Sequence, residues 1–469
     1  MFDFVKIIKK EWVLIALLLI LGIATRFYHF GQPNQIVFDE IYFSKFVTDY
    51  STGEYYFDIH PPLAKLLMAG WAKATGAEAP IDFDFKNIGR EYTNDFYKYL
   101  RFIVSVFGAF LPLIVYLFTK ELSKSKMAAF LAGLFVVFDN AILTQSRLIL
   151  MDVFLLVFGF LGLWLLLLAR KKQAFSKSWL WLSVATSLSL TAGFAVKWTG
   201  LIFIGVAGSV LLFDWFKTRS GKVFFGQAGI LLGVGFILYY SVFAIHLSLL
   251  SYSGDGDAFM TPSFQKTLIG SKYYNDFSIK PASTFSKFLE LNKVMYTANA
   301  NLKATHSYGS QWYTWPFLLR PIYYWFGTGE EGVASRIYLQ GNPFIWWSGL
   351  VAFVYWLFWL IRQSFKKIKD SEFFPILLLM VGYVGNILAY VFVDRVAFLY
   401  HYFPSLLFLI VGLSIFLAKY FFEFNKSKSV IIGFVLVTII FFQFFAPLSY
   451  GLPLTDKAFS ERIWLNSWQ

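Results

Sequence analysis

The sequence predicts an all-α polytopic membrane protein with about eleven transmembrane helices. Three observations carry that prediction. Of 469 residues, 58% are hydrophobic and only 15% charged, whereas soluble domains carry about 25% charged residues. The apolar residues fall in long blocks of the length that crosses roughly 30 Å of hydrocarbon. The basic residues collect between alternate blocks, as they do where a chain weaves through a membrane.

Taken in order, the spans are expected at 11–28, 96–118, 126–141, 148–169, 178–194, 199–216, 224–250, 343–361, 373–393, 396–418 and 429–448. The first has a basic start, but Ala24-Thr25-Arg26 is followed by bulky Phe27, Tyr28 and His29. That is no small-residue cleavage site, so the segment is expected to be an anchor. With the N-terminus in the cytoplasm, the inner segments hold Lys6, Lys9 and Lys10; Lys120, Lys124 and Lys126; Arg170, Lys171, Lys172 and Lys177; Lys217, Arg219 and Lys222; Arg362, Lys366, Lys367 and Lys369; and Lys419, Lys426 and Lys428. The three short outer connections hold one each: Arg147, Lys197 and Arg395. This bias orients a multi-pass cell-membrane protein with its C-terminus outside. It also accounts for the net charge of +13 and excludes nucleic acid as the partner. The absence of cysteine excludes disulfides and thiolate metal sites.

Two outer segments are long, 29–95 and 251–342. Each contains a short amphipathic stretch, 62–74 and 285–298, expected to lie as a helix in the membrane interface. The second segment is expected to be helical and not many-stranded. Long structured loops on one face of a rigid bundle are where function concentrates.

The polar residues of that face suggest chemistry. Asp39-Glu40 lies just beyond the first span. A partly desolvated carboxylate there suits a general base for a hydroxyl acceptor. Asp39 equally suits the N-cap of a helix running through Val47, and the two roles are compatible. His60 precedes Pro61-Pro62; the prolines fit a first helical turn, and the histidine is either structural or part of a site. Arg101, Arg147 and Lys197 sit at outer span ends. They either snorkel to headgroups or together neutralise an anionic lipid headgroup, with Asp152 a structural partner for one of them. No nucleotide-binding loop, dinucleotide fingerprint, zinc-protease helix motif or nucleophile elbow is present. Any energy the reaction needs must therefore arrive with an activated substrate.

The motifs, taken together, resemble the protein O-mannosyltransferases, a family of membrane glycosyltransferases of the GT-C fold. The resemblance runs through Phe38-Asp39-Glu40; Phe57-Asp58-Ile59-His60-Pro61-Pro62-Leu63-Ala64-Lys65; Phe138-Asp139-Asn140 with Gln145-Ser146-Arg147; Lys197-Trp198-Thr199-Gly200; His306 to Pro316 with Leu319-Arg320-Pro321; Gly341-Asn342-Pro343; and Phe398-Leu399-Tyr400-His401-Tyr402-Phe403-Pro404. It implies one GT-C domain over the whole chain, eleven spans, a polyprenyl-phosphate-mannose donor, a Ser or Thr acceptor on a polypeptide, and inversion at the sugar. Asp39 and Glu40 fall on the family's catalytic acidic motif, and Arg26 and Arg101 on arginines implicated in function. Eukaryotic members insert a β-trefoil domain in the late loop; 251–342 is too short and too helical for one, which suggests a compact bacterial-type member.

The expected mechanism has Asp39 as base, with Glu40 and His60 positioning acceptor or sugar. Arg101, Arg147 and Lys197 clamp the phosphate. Asp139, Asn140, Gln145 and His306 complete the binding set. Trp312, Tyr313 and Trp315 either stack on a sugar or anchor the interface. No metal or cofactor is called for, because fixed cations suffice for the electrostatics. The competing classes are a related transferase acting on a lipid or glycan, and a transporter or flippase. The latter would show internal repeats and a midplane site.

Overall fold

The computed structural model describes residues 10–81, 83–302, 305–366, 370–424 and 427–468. Of the inner basic residues, Lys6, Lys9, Lys367, Lys369 and Lys426 lie outside the described residues.

The chain is a helical bundle with one elaborated end. Its principal helices are α1 (Glu11–Phe27), α2 (Glu40–Thr52), α3 (Leu63–Ala74), α4 (Phe96–Ser123), α5 (Lys126–Val137), α6 (Asn140–Gln145), α7 (Asp152–Ala169), α8 (Lys177–Val196), α9 (Leu201–Thr218), α10 (Gly221–Leu249), α11 (Thr284–Ala300), α12 (Pro343–Ser364), α13 (Phe373–Ala389), α14 (Phe403–Leu417) and α15 (Lys428–Tyr450). Among the described residues nine helical segments are long and apolar enough to cross a membrane: α4, α7, α8, Trp198–Thr218 containing α9, α10, α12, Phe373–Phe392 containing α13, Leu399–Glu423 containing α14, and α15. The two other expected spans are shorter. α1 has 17 residues, and the block at 126–141 breaks into α5, of 12 residues, and the separate α6. The break has a chemical cause. Asp139 turns its carboxylate onto the backbone N–H of Ile142 at 2.9 Å and starts a new helix there.

α7 and α14 are apolar all round and buried on nearly every side, whereas α10 leaves most of its surface to lipid. Small residues set the closest helix approaches. A Cβ on Gly22 of α1 would meet the Ala109 carbonyl oxygen of α4 at 2.6 Å. Without a hydrophobic drive between helices in lipid, such contacts are what packs them.

The two amphipathic stretches fold as expected, as α3 and α11. The late loop holds something the periodicity did not suggest. β1 (Ile322–Thr328) and β2 (Val333–Leu339) form an antiparallel hairpin, and β3 (Pro453–Thr455), beyond α15, adds to β2. The strand residues Ile-Tyr-Tyr-Trp-Phe read as interfacial aromatics in sequence; their pairing partner lies in the next strand and is invisible to a helical period. β3 brings the C-terminal segment onto the same face as the late loop. A bridge from Glu54 to Tyr252 ties the first long loop to that face as well.

Candidate active site

The two long loops and the 395–401 turn enclose a cavity of about 750 Å³. Its wall includes Asp39, Asp58, His60, His306, Tyr308, Tyr323, Tyr324, Arg395, Tyr400 and His401. A larger recess, about 920 Å³, opens at the far end of the bundle. Its ions are largely paired with one another, as in Arg170–Asp214, Lys171–Glu121 and Lys419–Glu372. It holds none of the motif residues, so the chemistry is to be sought in the first cavity.

Asp39 occupies the N-cap position of α2, yet its side chain makes no capping hydrogen bond. Nor does the carboxylate accept one from any other described residue. Burial pushes its carboxyl up to about 7; the nearby Lys197 cation pulls it back, and Asp152 and Asp58 push it further up. The preceding residue, Phe38, is held at φ 50, a region costly for a bulky side chain. It is pinned there by stacking on Tyr324, with ring centroids 4.1 Å apart and planes 8° apart. His60 stands in the same wall, its imidazole kept neutral: burial, then Lys197 and Lys65, hold its pKa well below the usual value. Lys65, in α3, is paired with Asp58 and donates to the His60 carbonyl at 3.1 Å.

Glu40 is the opposite case. It is fully buried and saturated. Arg101 binds it through two contacts, Nε to Oε1 at 2.8 Å and Nη2 to Oε2 at 2.7 Å. The backbone N–H groups of Val37 and Ile149 donate to it at 2.9 and 2.8 Å, and the Tyr92 hydroxyl at 3.3 Å. Arg101 spends its remaining donors on the carbonyls of Gly31, Pro33 and Gln35. The expected clamp of Arg101, Arg147 and Lys197 is therefore not assembled. Arg101 has no donor left for a phosphate. Arg147 donates to the carbonyls of Arg26, Tyr28, His29 and Ser449, closing the ends of α1 and α15, and its guanidinium lies over the Tyr450 ring. Arg26 likewise donates to the carbonyls of Val136 and Val137 at the end of α5. These arginines satisfy orphan helix carbonyls, and none lines the cavity.

Asp139 and Asn140 are also structural. Besides capping α6, Asp139 accepts from the Trp346 indole at 2.7 Å and the Asn342 N–H at 3.2 Å. Asn140 donates to the Phe442 carbonyl and the Ser449 hydroxyl, both at 3.2 Å. Gln145 and Lys197 form a relay behind the cavity wall. Tyr324 donates to Gln145 at 2.8 Å, Gln145 to Asp152 at 2.6 Å, and Lys197 reaches both Asp152 oxygens at 2.9 Å. Asp152 is thus the partner of Lys197, whose ammonium also lies 4.9 Å from the Tyr400 ring centroid.

His306 lines the cavity, its Nδ1 taking the Tyr308 N–H at 3.1 Å. Trp312 and Trp315 do not line it. Trp315 is fully buried, bonded to Ser310 and stacked against His401, with no face free for a sugar. Arg395 is the cavity residue that spacing missed. It has no carboxylate partner among the described residues, and its guanidinium donates to the Asn299 amide oxygen at 2.5 Å. The available signal was its position, the one basic residue of an outer connection immediately before the Phe398–Pro404 motif. Among the described residues no three His, Asp or Glu side chains converge as a metal site would require.

Residues 16–251 match the family model described as dolichyl-phosphate-mannose-protein mannosyltransferase, and residues 284–468 match the C-terminal four-transmembrane region of protein O-mannosyltransferase. The chain belongs to this family. It is 36% identical to dolichyl-phosphate-mannose–protein mannosyltransferase 4 of Candida albicans over 59% of its own length, an alignment spanning 39% of that relative. It is 23% identical to mannosyltransferase 1 of Saccharomyces cerevisiae over 98% of its length and 83% of the relative's. Its fold matches that of the S. cerevisiae protein O-mannosyltransferase Pmt1-Pmt2 complex bound to the sugar donor, with a TM-score of 0.90, 23% identity and coverage of 98% of this chain and 93% of the other. The archaeal oligosaccharyltransferase of Archaeoglobus fulgidus is more distant, with a TM-score of 0.59 and 13% identity over 97% of this chain and 57% of its own. The GT-C fold follows from these matches.

Proposed function

We propose that this member transfers mannose from a polyprenyl-phosphate-mannose, the lipid class of the dolichyl-phosphate-mannose in its relatives' names, to Ser or Thr hydroxyls of polypeptides. The observation that carries the proposal is Asp39. Among the described residues its carboxyl stands without a hydrogen bond in the cavity wall, raised by burial to about 7, while its neighbour Glu40 is fully spent.

The chemistry follows from that contrast. Asp39 takes the proton from the acceptor hydroxyl as its oxygen bonds to the anomeric carbon. The bond from that carbon to the phosphate oxygen breaks, its electron pair leaves with the phosphate, and attack from the far side inverts the centre. Arg395, the cavity cation without a carboxylate partner, steadies the phosphate as its charge grows. Lys197, held by Asp152, keeps part of the Asp39 population ionised near neutral pH. His60, kept neutral by burial, donates or accepts at the sugar hydroxyls, and His306 stands in the same wall. Glu40 and Arg101 act through the backbone they hold, aiming Asp39.

The basic bias of the opposite loops supports placing this cavity on the outer face of the cell membrane, with the N-terminus in the cytoplasm. Transfer of labelled mannose from polyprenyl-phosphate-mannose to a Ser/Thr peptide, in membranes holding the protein, tests the function. Labelling of an Ala79→Cys protein by an impermeant reagent from outside tests the orientation. Transfer to lipid or glycan acceptors but to no peptide would replace the acceptor; labelling only from the cytoplasm would reverse the topology.

A further inference from the structure

The sheet has an open edge, and that edge borders the cavity. Its strand order is β1-β2-β3, so β1 pairs on one side only. Among the described residues, no main-chain group of Ile322–Thr328 bonds to an element other than β2. Tyr323, Tyr324, Trp325 and Phe326 all line the cavity. A strand facing a cavity with one surface presents every second side chain. Four in a row, even across the bulge between Tyr323 and Trp325, mean that the cavity runs along the strand's edge. The bulge itself is the kind of irregularity that re-aims side chains beside a site. Tyr324 stacks on Phe38, so the edge passes one residue from Asp39.

This edge is also unguarded. Exposed edge strands are ordinarily protected from pairing by charges, proline or an inward Lys. Ile322-Tyr-Tyr-Trp-Phe-Gly-Thr328 contains no charge and no proline. Its central residues, Tyr323 to Phe326, are aromatics that line the cavity.

We propose that the acceptor polypeptide docks as an extended strand added to β1, and that this pairing delivers its Ser or Thr to Asp39. The inference rests on the peptide-acceptor function proposed above. Strand addition draws its affinity from main-chain hydrogen bonds and only secondary selectivity from side-chain pockets. It therefore selects chain that is extended and unfolded over any particular sequence. Added strands lie about 4.8 Å from their neighbour, and their alternate residues turn to the same side, so one set of N–H groups faces β1 and the other faces away.

That alternation is the test. The full-length protein in lipid nanodiscs is given polyprenyl-phosphate-mannose and a linear acceptor peptide with a single Thr. The peptide carries one backbone N-methyl group at each position in turn. Methylation at alternate positions should raise KM about fivefold or more with kcat little changed, since each blocked N–H forfeits one hydrogen bond. Methylation at the positions between should change KM less than about twofold. A lactam-stapled helical version of the same peptide should lose transfer. A flat methylation profile, or a helical peptide that works as well as the linear one, overturns strand addition while leaving the peptide-acceptor function standing. No transfer to the unmodified linear peptide overturns both.

Discussion

Asp39 and Glu40 are adjacent in the chain and opposite in circumstance. Glu40 and Arg101 form a closed unit, in which every acceptor site on the carboxylate and every donor on the guanidinium has a partner inside the protein. The wall of the cavity is left open: among the described residues the Asp39 carboxylate accepts no hydrogen bond, and Arg395 has an amide where a carboxylate would serve better. A partly buried charge short of partners costs free energy, and a fold retains one where a substrate completes it. The comparison separates what holds the loop from what acts on the substrate.

The largest effect expected from this division is at Asp39. Asp39→Asn keeps the shape and should leave folding and donor binding near normal. It cannot take a proton usefully, so transfer should fall by about 10²–10⁴-fold. Sugar transfer and donor binding measured in the same membranes check this. Near-full transfer would return Asp39 to the role of a helix start and send the search for a base elsewhere on the wall.

Glu40 should fail differently. Glu40→Gln removes one partner of a buried, doubly bonded ion pair, a loss of about 3–5 kcal/mol. The expected outcome is a lower melting temperature and less folded protein, with residual transfer per folded molecule well above that of Asp39→Asn. Arg101→Ala should mirror it. A stable Glu40→Gln protein with normal donor binding but no transfer would break the division and make Glu40 a direct participant.

Arg395→Ala should weaken the donor by about 10–100-fold, the loss of one charge-assisted contact worth roughly 1.5–3 kcal/mol. Arg147→Ala should instead cost stability, since its donors close helix ends. Donor titration of both variants in nanodiscs distinguishes them; equal affinity in Arg395→Ala would move the phosphate away from the 395–401 turn.

The smallest effect is in pH. Only ionised Asp39 can accept the proton, and burial raises its carboxyl to about 7. Transfer should therefore fall as pH drops through about 7, approaching tenfold per unit below it, and level off above. An acid limb centred near the ordinary carboxylate range, about 4, would mean that Asp39 is solvated in the donor complex. An unshifted limb in Lys197→Ala would show that Lys197 does not tune it.

Much of this was written in the order of residues. Apolar blocks of membrane length specify helices whatever they pack against, because lipid forces each backbone to satisfy itself. The basic clusters between them, such as Arg170-Lys171-Lys172, are local as well, and the proposed orientation rests on them. The amphipathic runs that became α3 and α11 show their 3.6-residue period openly. Asp39, His60 and His306 could be picked out as motif residues, and all three line the cavity. The sequence could not say which charges were already spent. Arg101 finds Glu40 across 61 positions, and Arg147 finds the carbonyl of Ser449 across 302; only folding brings such pairs together, and a saturated arginine looks in sequence like a free one. β3 meets β2 only after the last long helix has returned the chain to the same face. Arg395 was visible in sequence only as a lone outer cation; the structure set it in the same cavity wall as Asp39, with no carboxylate partner among the described residues. Period and composition are local and survive in one dimension. Partnership between distant polar groups is a property of three dimensions, and it decides which of them remain available for chemistry.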